Sequence, residues 1–270
     1  MKSLSIVVPD LVCINNCKFC IAQMKATQYK NIFNTYKSQY VKRMQYARDK
    51  GIDTLVFTGD SEPQQHMRFI NDVIYLNDQL KNPFQKIEIQ TTGVLLDFDK
   101  LKILKAAGID TISWSISSFR FKQNFDYQGS PEKLRYDMTK FAYNVKSLNM
   151  NLRISVNLTD AFDSWDVKDF FHYLRNALLA DQVTLRKLFI SQDETPQNTW
   201  IKHHKMSEEK FNEFKAHFFT EGKTIDGKYP IRIIEDMTVF IDENCMGEKL
   251  ILRPDCHLYR LWDEPGSLVY

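Results

Sequence analysis

The chain has 270 residues, 43% hydrophobic and 26% charged, and its 36 basic and 34 acidic residues leave a formal net charge of +2. That length supports one sizeable core, and the charge balance carries no surplus suited to a nucleic-acid surface, so nucleic acid is not an expected partner. No apolar run reaches the ~20 residues of a membrane span and no signal peptide is evident, so a cytoplasmic protein with reduced thiols is expected.

Hydrophobic periodicity alternates short strand-like runs with longer helical ones. Leu4 to Pro9 reads as a strand and leads into Cys13-Ile14-Asn15-Asn16-Cys17-Lys18-Phe19-Cys20. Tyr36 to Lys50 has helical spacing, with Gly51 as its stop. The strand Asp53–Phe57 runs into Thr58-Gly59-Asp60-Ser61-Glu62-Pro63, followed by a helix from Gln64 to Leu80. Lys86–Gln90 is the third strand and ends in Thr91-Thr92-Gly93. A helix from Leu101 to Ala107 closes at Gly108. The fourth strand is Asp110–Ser117, with a helix from Pro131 to Leu148. The fifth is Leu152–Leu158, with a helix from Trp165 to Ala180, and the sixth is Gln182–Ile190. Six strand–helix repeats predict parallel pairing through right-handed crossovers, and in such barrels the chemistry gathers at the C-terminal ends of the strands. Ser191 to Trp200 reads as a long polar loop at that end, a candidate lid. Beyond it, Ser207 caps a helix to about Phe219. The runs Ile231–Ile241, Lys249–Arg253 and Leu258–Trp262 are expected to form a small antiparallel segment covering one end of the barrel. The domain boundary is placed between residues 191 and 192.

Three of the five cysteines lie within eight residues, at spacings of four and three. They are too close together for ordinary disulfide pairing and suit one face of a small metal cluster. Iron–sulfur clusters take about four thiolates, so three leave one iron open to a cofactor or substrate. A zinc knuckle is the alternative; it needs a fourth Cys or His close by, and the next histidine is His66. Cys245 and Cys256 are expected to be ordinary buried thiols, and His203, His204 and His217 surface residues.

The CxxxCxΦC spacing, with Phe19 as its aromatic residue, resembles the signature of the radical SAM superfamily. The resemblance implies that Cys13, Cys17 and Cys20 hold a 4Fe–4S cluster beside Phe19. It further implies that S-adenosylmethionine chelates the fourth iron and is cleaved reductively to methionine and a 5′-deoxyadenosyl radical. That radical abstracts hydrogen from the substrate. The fold implied over residues 3 to 191 is α/β, a partial (β/α)6 TIM-type barrel, with a short C-terminal α+β extension. The Thr58–Pro63 stretch resembles the family's Gly-Gly-Glu motif, which maps Gly59, Asp60, Ser61 and Glu62 to the cofactor's amino group; an ordinary turn in which Asp60 or Ser61 caps a helix is the alternative. Thr91 maps to a cofactor contact, against a plain polar turn with Gly93 at positive φ.

The fourth strand places hydroxyls on one face and Ile112, Trp114 and Ile116 on the other, which implies a lined cavity. By the resemblance Ser115 is the ribose contact. The fifth strand repeats the pattern with Arg153, Ser155 and Asn157, and a buried arginine needs an anionic partner, supplied by the cofactor, a substrate acid or a structural carboxylate. No protein residue is required as a general base. The expected substrate is a small molecule such as a nucleotide or cofactor precursor, with flavodoxin or ferredoxin as electron donor. A glycyl-radical activase acting on a protein partner, and a non-catalytic iron–sulfur or zinc protein, are the alternatives.

Overall fold

A computed structural model describes residues 3–9, 12–24, 29–191, 194–224, 231–242, 249–262 and 265–270. Six strands follow one another in sequence and in space: β1 (Ser3–Val8), β2 (Thr54–Gly59), β3 (Lys86–Thr91), β4 (Thr111–Ile116), β5 (Asn151–Leu158) and β6 (Gln182–Lys187). All five junctions are parallel. The crossovers carry α1 (Lys37–Asp49), α2 (Met67–Asn77), α3 (Phe98–Ala106), α4 (Phe121–Tyr127), α5 (Met138–Ser147) and α6 (Val167–Asn176). The sheet does not close, and the result is a partial barrel of the expected class.

Alternation along the strands divides the side chains. Leu4, Ile6, Leu55, Phe57, Ile112, Trp114, Leu152 and Ile154 join the core shared with the helices. The opposite face carries Ser5, Thr54, Glu88, Ser113, Ser155 and Arg153, so the barrel has an unusually polar lining.

Three expectations change. The helix expected over residues 131–148 is a short 3-10 turn at Glu132–Leu134 followed by α5, whose start is fixed by Asp137 accepting from Lys140 N at 2.9 Å. The expected polar loop before Trp200 contains α7 (Pro196–His204), begun by Thr195 as N-cap and Pro196 at the first turn, where a missing N–H costs nothing. The helix α8 (Glu208–Thr220) follows, capped by Ser207 as expected.

The third change concerns β7 (Lys223–Thr224), β8 (Ile231–Ile234), β9 (Met237–Asp242), β10 (Lys249–Leu252) and β11 (Leu258–Tyr259). The pairs β7–β8, β8–β9 and β10–β11 are antiparallel. They do not stand apart as a separate segment over one end. β9 adds in parallel to β6 and β10 adds in parallel to β1, giving an 11-stranded sheet in the order β11-β10-β1-β2-β3-β4-β5-β6-β9-β8-β7. The physical reason is that β1 and β6 would otherwise expose unpaired N–H and C=O groups along both open edges.

Candidate functional site

The cysteine loop leaves the C-terminal end of β1 and is held by backbone contacts. Lys18 N donates to Tyr127 O at 2.9 Å and Asn16 N to Gly129 O at 3.3 Å, so the end of α4 forms its seat. Gly129 has φ +57, and a β-carbon there would lie 2.2 Å from the Asn16 carbonyl oxygen. From the other side, Ile14 N donates to Gln65 Oε1 at 2.9 Å. Cys13, Cys17 and Cys20 are half-buried, and none is in a disulfide. Burial pushes the Cys17 thiol well above its ordinary range, with Cys20, Glu62 and Cys13 adding electrostatically. Cys13 is raised as well, again chiefly by burial. Deprotonated together, the three sulfurs would need a cationic centre among them. Among the described residues no group of three or more His, Cys, Asp and Glu side chains is arranged to hold a lone metal ion.

Between Cys13 and Cys17 stands Asn15, buried, whose Nδ2 donates to Glu62 Oε1 at 3.1 Å and to Thr92 Oγ1 at 2.8 Å. Glu62 Oε1 also accepts from Thr92 N at 2.9 Å and Thr92 Oγ1 at 2.6 Å. Its Oε2 accepts from Gln64 Nε2 at 2.7 Å and Thr91 Oγ1 at 2.8 Å. A carboxylate offers about four acceptor positions, and protein donors fill these. Through these bonds Glu62 ties the cysteine loop to the ends of β2 and β3. Thr91 belongs to the same network, its hydroxyl also accepting from Gln64 Nε2 at 2.5 Å and Gly93 N at 2.8 Å. Gly93 does adopt a positive φ, +85.

The rest of the β2 motif stays at the mouth. A β-carbon on Gly59 would meet Val8 Cγ2 and Val8 N of β1, each at 2.8 Å. Ser61 is buried with its hydroxyl 3.2 Å from His66 Nε2. Neither Asp60 nor Ser61 caps a helix.

Ser115 and Ser155 are direct neighbours in the β4–β5 register. Both the Ser155 and Ser113 hydroxyls are buried without a partner. Buried hydroxyls in folded proteins are nearly always hydrogen-bonded, so this wall fits a polar ligand. Arg153 on the same face is engaged by protein groups. Its Nη1 donates to Glu88 Oε2, and its Nε and Nη2 donate to Gln182 Oε1 at 2.9 and 2.6 Å. The Glu88 carboxylate is an anionic partner of the kind a buried arginine needs.

Several residues at the site escaped the sequence. Asn15 and Gly129 hold the cysteine loop. Trp200 of α7 lies 5.8 Å from the Phe19 ring, 4.8 Å from Tyr127 and 4.4 Å from His204, centroid to centroid. His204, expected at the surface, is half-buried and approaches Asp160 Oδ2 at 3.0 Å through Nδ1. Arg253, fully buried, reaches Asp60 from the C-terminal segment. The Thr195-Pro196 start signal could have revealed α7; nothing local marks the others. Cys256 is buried as expected, and Cys245 lies outside the described residues.

The profile of the radical SAM superfamily matches residues 8–158. The chain belongs to the radical SAM superfamily. That family works with a 4Fe–4S cluster and S-adenosylmethionine (AdoMet). Solved structures agree on the fold. One is anSMEcpe with bound AdoMet, at 14% identity and TM-score 0.67, covering 96% of this chain and 74% of that one. Another is SuiB from Streptococcus suis bound to its precursor peptide SuiA, at 14% identity and TM-score 0.58, covering 95% of this chain and 58% of SuiB. HydG, a maturase of the [FeFe]-hydrogenase, matches at 14% identity and TM-score 0.58 over 79% of this chain and 48% of its own. The radical SAM chain thus spans little more than half the length of SuiB. No curated protein matches it. No helix among the described residues is long and apolar enough to cross a membrane.

Proposed function

We propose that Cys13, Cys17 and Cys20 hold the 4Fe–4S cluster and that AdoMet binds across the mouth toward Asp60, Ser115 and Ser155. The donor set fits: three thiols on one seated loop, no fourth cysteine or histidine among the described residues beside them, and unpartnered buried hydroxyls on the facing wall. When bound, the cluster and AdoMet supply reductive cleavage of the sulfonium and a radical able to take hydrogen from an unactivated C–H bond. This chain's own residues seat the loop, orient the ligands and exclude water. Phe19 and Trp200 form an aromatic cover on one side of the loop. No side chain is needed as a general base.

The substrate in this proposal is a small polar molecule held inside the barrel. The supporting observation is the row of buried, unpartnered atoms on successive strands: Glu88 Oε1, Ser113 Oγ, Ser155 Oγ, Arg186 Nε and Asp242 Oδ1, from β3, β4, β5, β6 and β9. A protein or peptide substrate is the second reading. It is favoured by exposed apolar side chains in the segments that follow the same strand ends, Val12, Ile21, Phe121, Phe189 and Ile190. A flavodoxin or ferredoxin serves as electron donor in either case.

Anaerobic reconstitution with iron and sulfide, then dithionite and AdoMet, tests the chemistry. Wild-type protein should turn brown and release 5′-deoxyadenosine, and Cys17→Ala should do neither while remaining folded. A colourless wild-type protein that leaves AdoMet intact would overturn the assignment.

A further inference from the structure

The register of β6 and β9 sets Arg186 opposite Asp242 at the C-terminal ends of the two parallel strands. Val183, Leu185, Val239 and Ile241 join the core shared with the helices. Side chains alternate along a strand, so Thr184, Arg186, Phe240 and Asp242 face the barrel interior. Ser155 pairs with Thr184, and Thr184 with Phe240. Arg186 and Asp242 therefore stand one layer, about 6–7 Å, nearer the mouth than Ser155 and Phe240.

Both groups are withdrawn from water without using each other. Asp242 is 9% exposed, and its Oδ1 is buried with no hydrogen-bond partner. Arg186 Nε is buried in the same condition. Facing positions on neighbouring strands lie ~5 Å apart, close enough for a direct ion pair, yet these two atoms leave one another unbonded. Lys187, the next residue, faces the helices instead and is closed on Glu208 Oε2 at 2.8 Å. A buried carboxylate and guanidinium are costly while their hydrogen bonds stay unmade, and such atoms are rare in folded chains.

The two groups together set what fits between them. Their charges cancel, so a phosphate or a lone carboxylate would be drawn to Arg186 and repelled by Asp242. A guanidinium only donates and an ionised carboxylate only accepts. The matching ligand brings an acceptor and a donor on neighbouring atoms, as in the O=C–N–H edge of a cyclic amide. Arginine donors and carboxylate acceptors read the edges of nucleobases in this way. Phe240, half-buried one layer below, adds a ring on which a planar heterocycle can stack. A zwitterionic head shares the two signs but has no flat face for that ring. In the sheet, β6 and β9 lie beyond β4 and β5, on the side away from β1 and its cysteine loop. The pair thus falls on the substrate side of the serines that face the proposed cofactor.

We infer that Arg186 and Asp242 clamp the O=C–N–H edge of a planar, nucleobase-like substrate ring. Arg186 donates to the oxygen, Asp242 accepts from the nitrogen, and Phe240 lies against the ring. This deepens the reading of a small polar substrate inside the barrel and rests on it.

The test compares anaerobically reconstituted wild type, Arg186→Met, Asp242→Leu and the double variant, with AdoMet present and iron content recorded for each. Calorimetric titration sets uridine, inosine and guanosine against 3-methyluridine, 1-methylinosine and 1-methylguanosine, in which a methyl group replaces the N–H. At least one nucleoside should bind wild type tenfold or more tighter than its methylated form. Asp242→Leu should erase that difference, and Arg186→Met should weaken the unmethylated nucleoside tenfold or more. Should Asp242→Leu fail to load iron, Asp242→Asn takes its place, and its neutral amide should shrink the difference severalfold. The ligand-free double variant, relieved of two unpartnered buried groups, should melt at or above the wild-type temperature, which a structural role for the pair would not allow. Equal affinity for every nucleoside and its methylated form, or a double variant that melts well below wild type, would overturn the inference. So would wild type that binds L-amino acids and no nucleoside. Wild-type protein that binds no AdoMet contradicts the wider reading instead, and the nucleoside titrations run without AdoMet then decide for or against the clamp.

Discussion

Gly129 and Asn16 touch so closely that no side chain fits between them: a β-carbon on Gly129 would lie 2.2 Å from the Asn16 carbonyl oxygen and 2.6 Å from its carbon. The neighbour is backbone and cannot swing aside, and φ +57 is itself unfavourable for a residue with a β-carbon. Gly129→Ala should therefore push the cysteine loop off the end of α4. The expected cost is about 1–3 kcal/mol in stability, with a sharp fall in iron bound per chain after reconstitution. Iron analysis beside a thermal melt checks this. A variant that loads iron fully would show that α4 does not seat the loop.

Glu62 sits in a motif whose family counterpart touches the cofactor, yet its two oxygens are taken by Asn15, Thr91, Thr92 and Gln64. Glu62→Gln places an amide where Oε2 or Oε1 accepted two or more donors, leaving at least one buried donor unsatisfied. The expected loss is about 1–3 kcal/mol in stability. Protein that still assembles the cluster should bind AdoMet with wild-type affinity. Anaerobic dialysis on the iron-loaded fraction decides the matter: a large loss of AdoMet affinity with full iron would make Glu62 a cofactor contact.

How far the sequence could carry these assignments depended on the range of the interaction. The cysteine spacing, the strand periodicity and the Gly59–Glu62 turn are local, and each placed its residues at the correct end of the correct strand. The helix α4 has seven residues, too few to show a period against the background of Phe119 to Tyr127. Trp200 was visible but sat in a polar stretch, and only the cap at Thr195 distinguishes that stretch from a loop. Arg153 was correctly read as a buried arginine in need of an anion, but choosing Glu88 requires knowing how β3 and β5 lie across the barrel. Arg253 reaches Asp60 only because β10 adds to the outer edge of β1, a pairing between segments more than two hundred residues apart that no local pattern encodes.

Arg153 and Glu88 form an ion pair deep in the barrel, with side chains 15% and 2% exposed. Arg153→Met leaves the Glu88 charge buried with no counterion and should cost about 3–5 kcal/mol. Adding Glu88→Met removes the stranded charge and should recover most of that loss, since a buried pair replaced by apolar residues of similar volume is often neutral. Denaturant melts of the two single variants and the double variant measure the coupling. If the double variant is no more stable than Arg153→Met, Glu88 is not the partner that matters.

Trp200 links α7 to the cysteine loop through Phe19, and Gln197 of the same helix donates to Gln23 Oε1 at 2.7 Å just beyond the third cysteine. The indole is stacked on His204, which is held in turn by Asp160, so the ring is fixed from behind. Removing it opens a path for water and oxygen toward the thiols without touching any of them. Trp200→Ala should fold and bind iron to the wild-type level, because the contacts to Tyr127, Gly129 and Glu62 that seat the loop remain. Its brown absorbance should bleach severalfold faster on exposure to air, and its uncoupled 5′-deoxyadenosine yield should fall as the cluster is lost. Trp200→Phe, which keeps an aromatic face toward Phe19, should restore most of the protection. Equal bleaching rates in wild type and Trp200→Ala would mean that α7 covers the loop without shielding it.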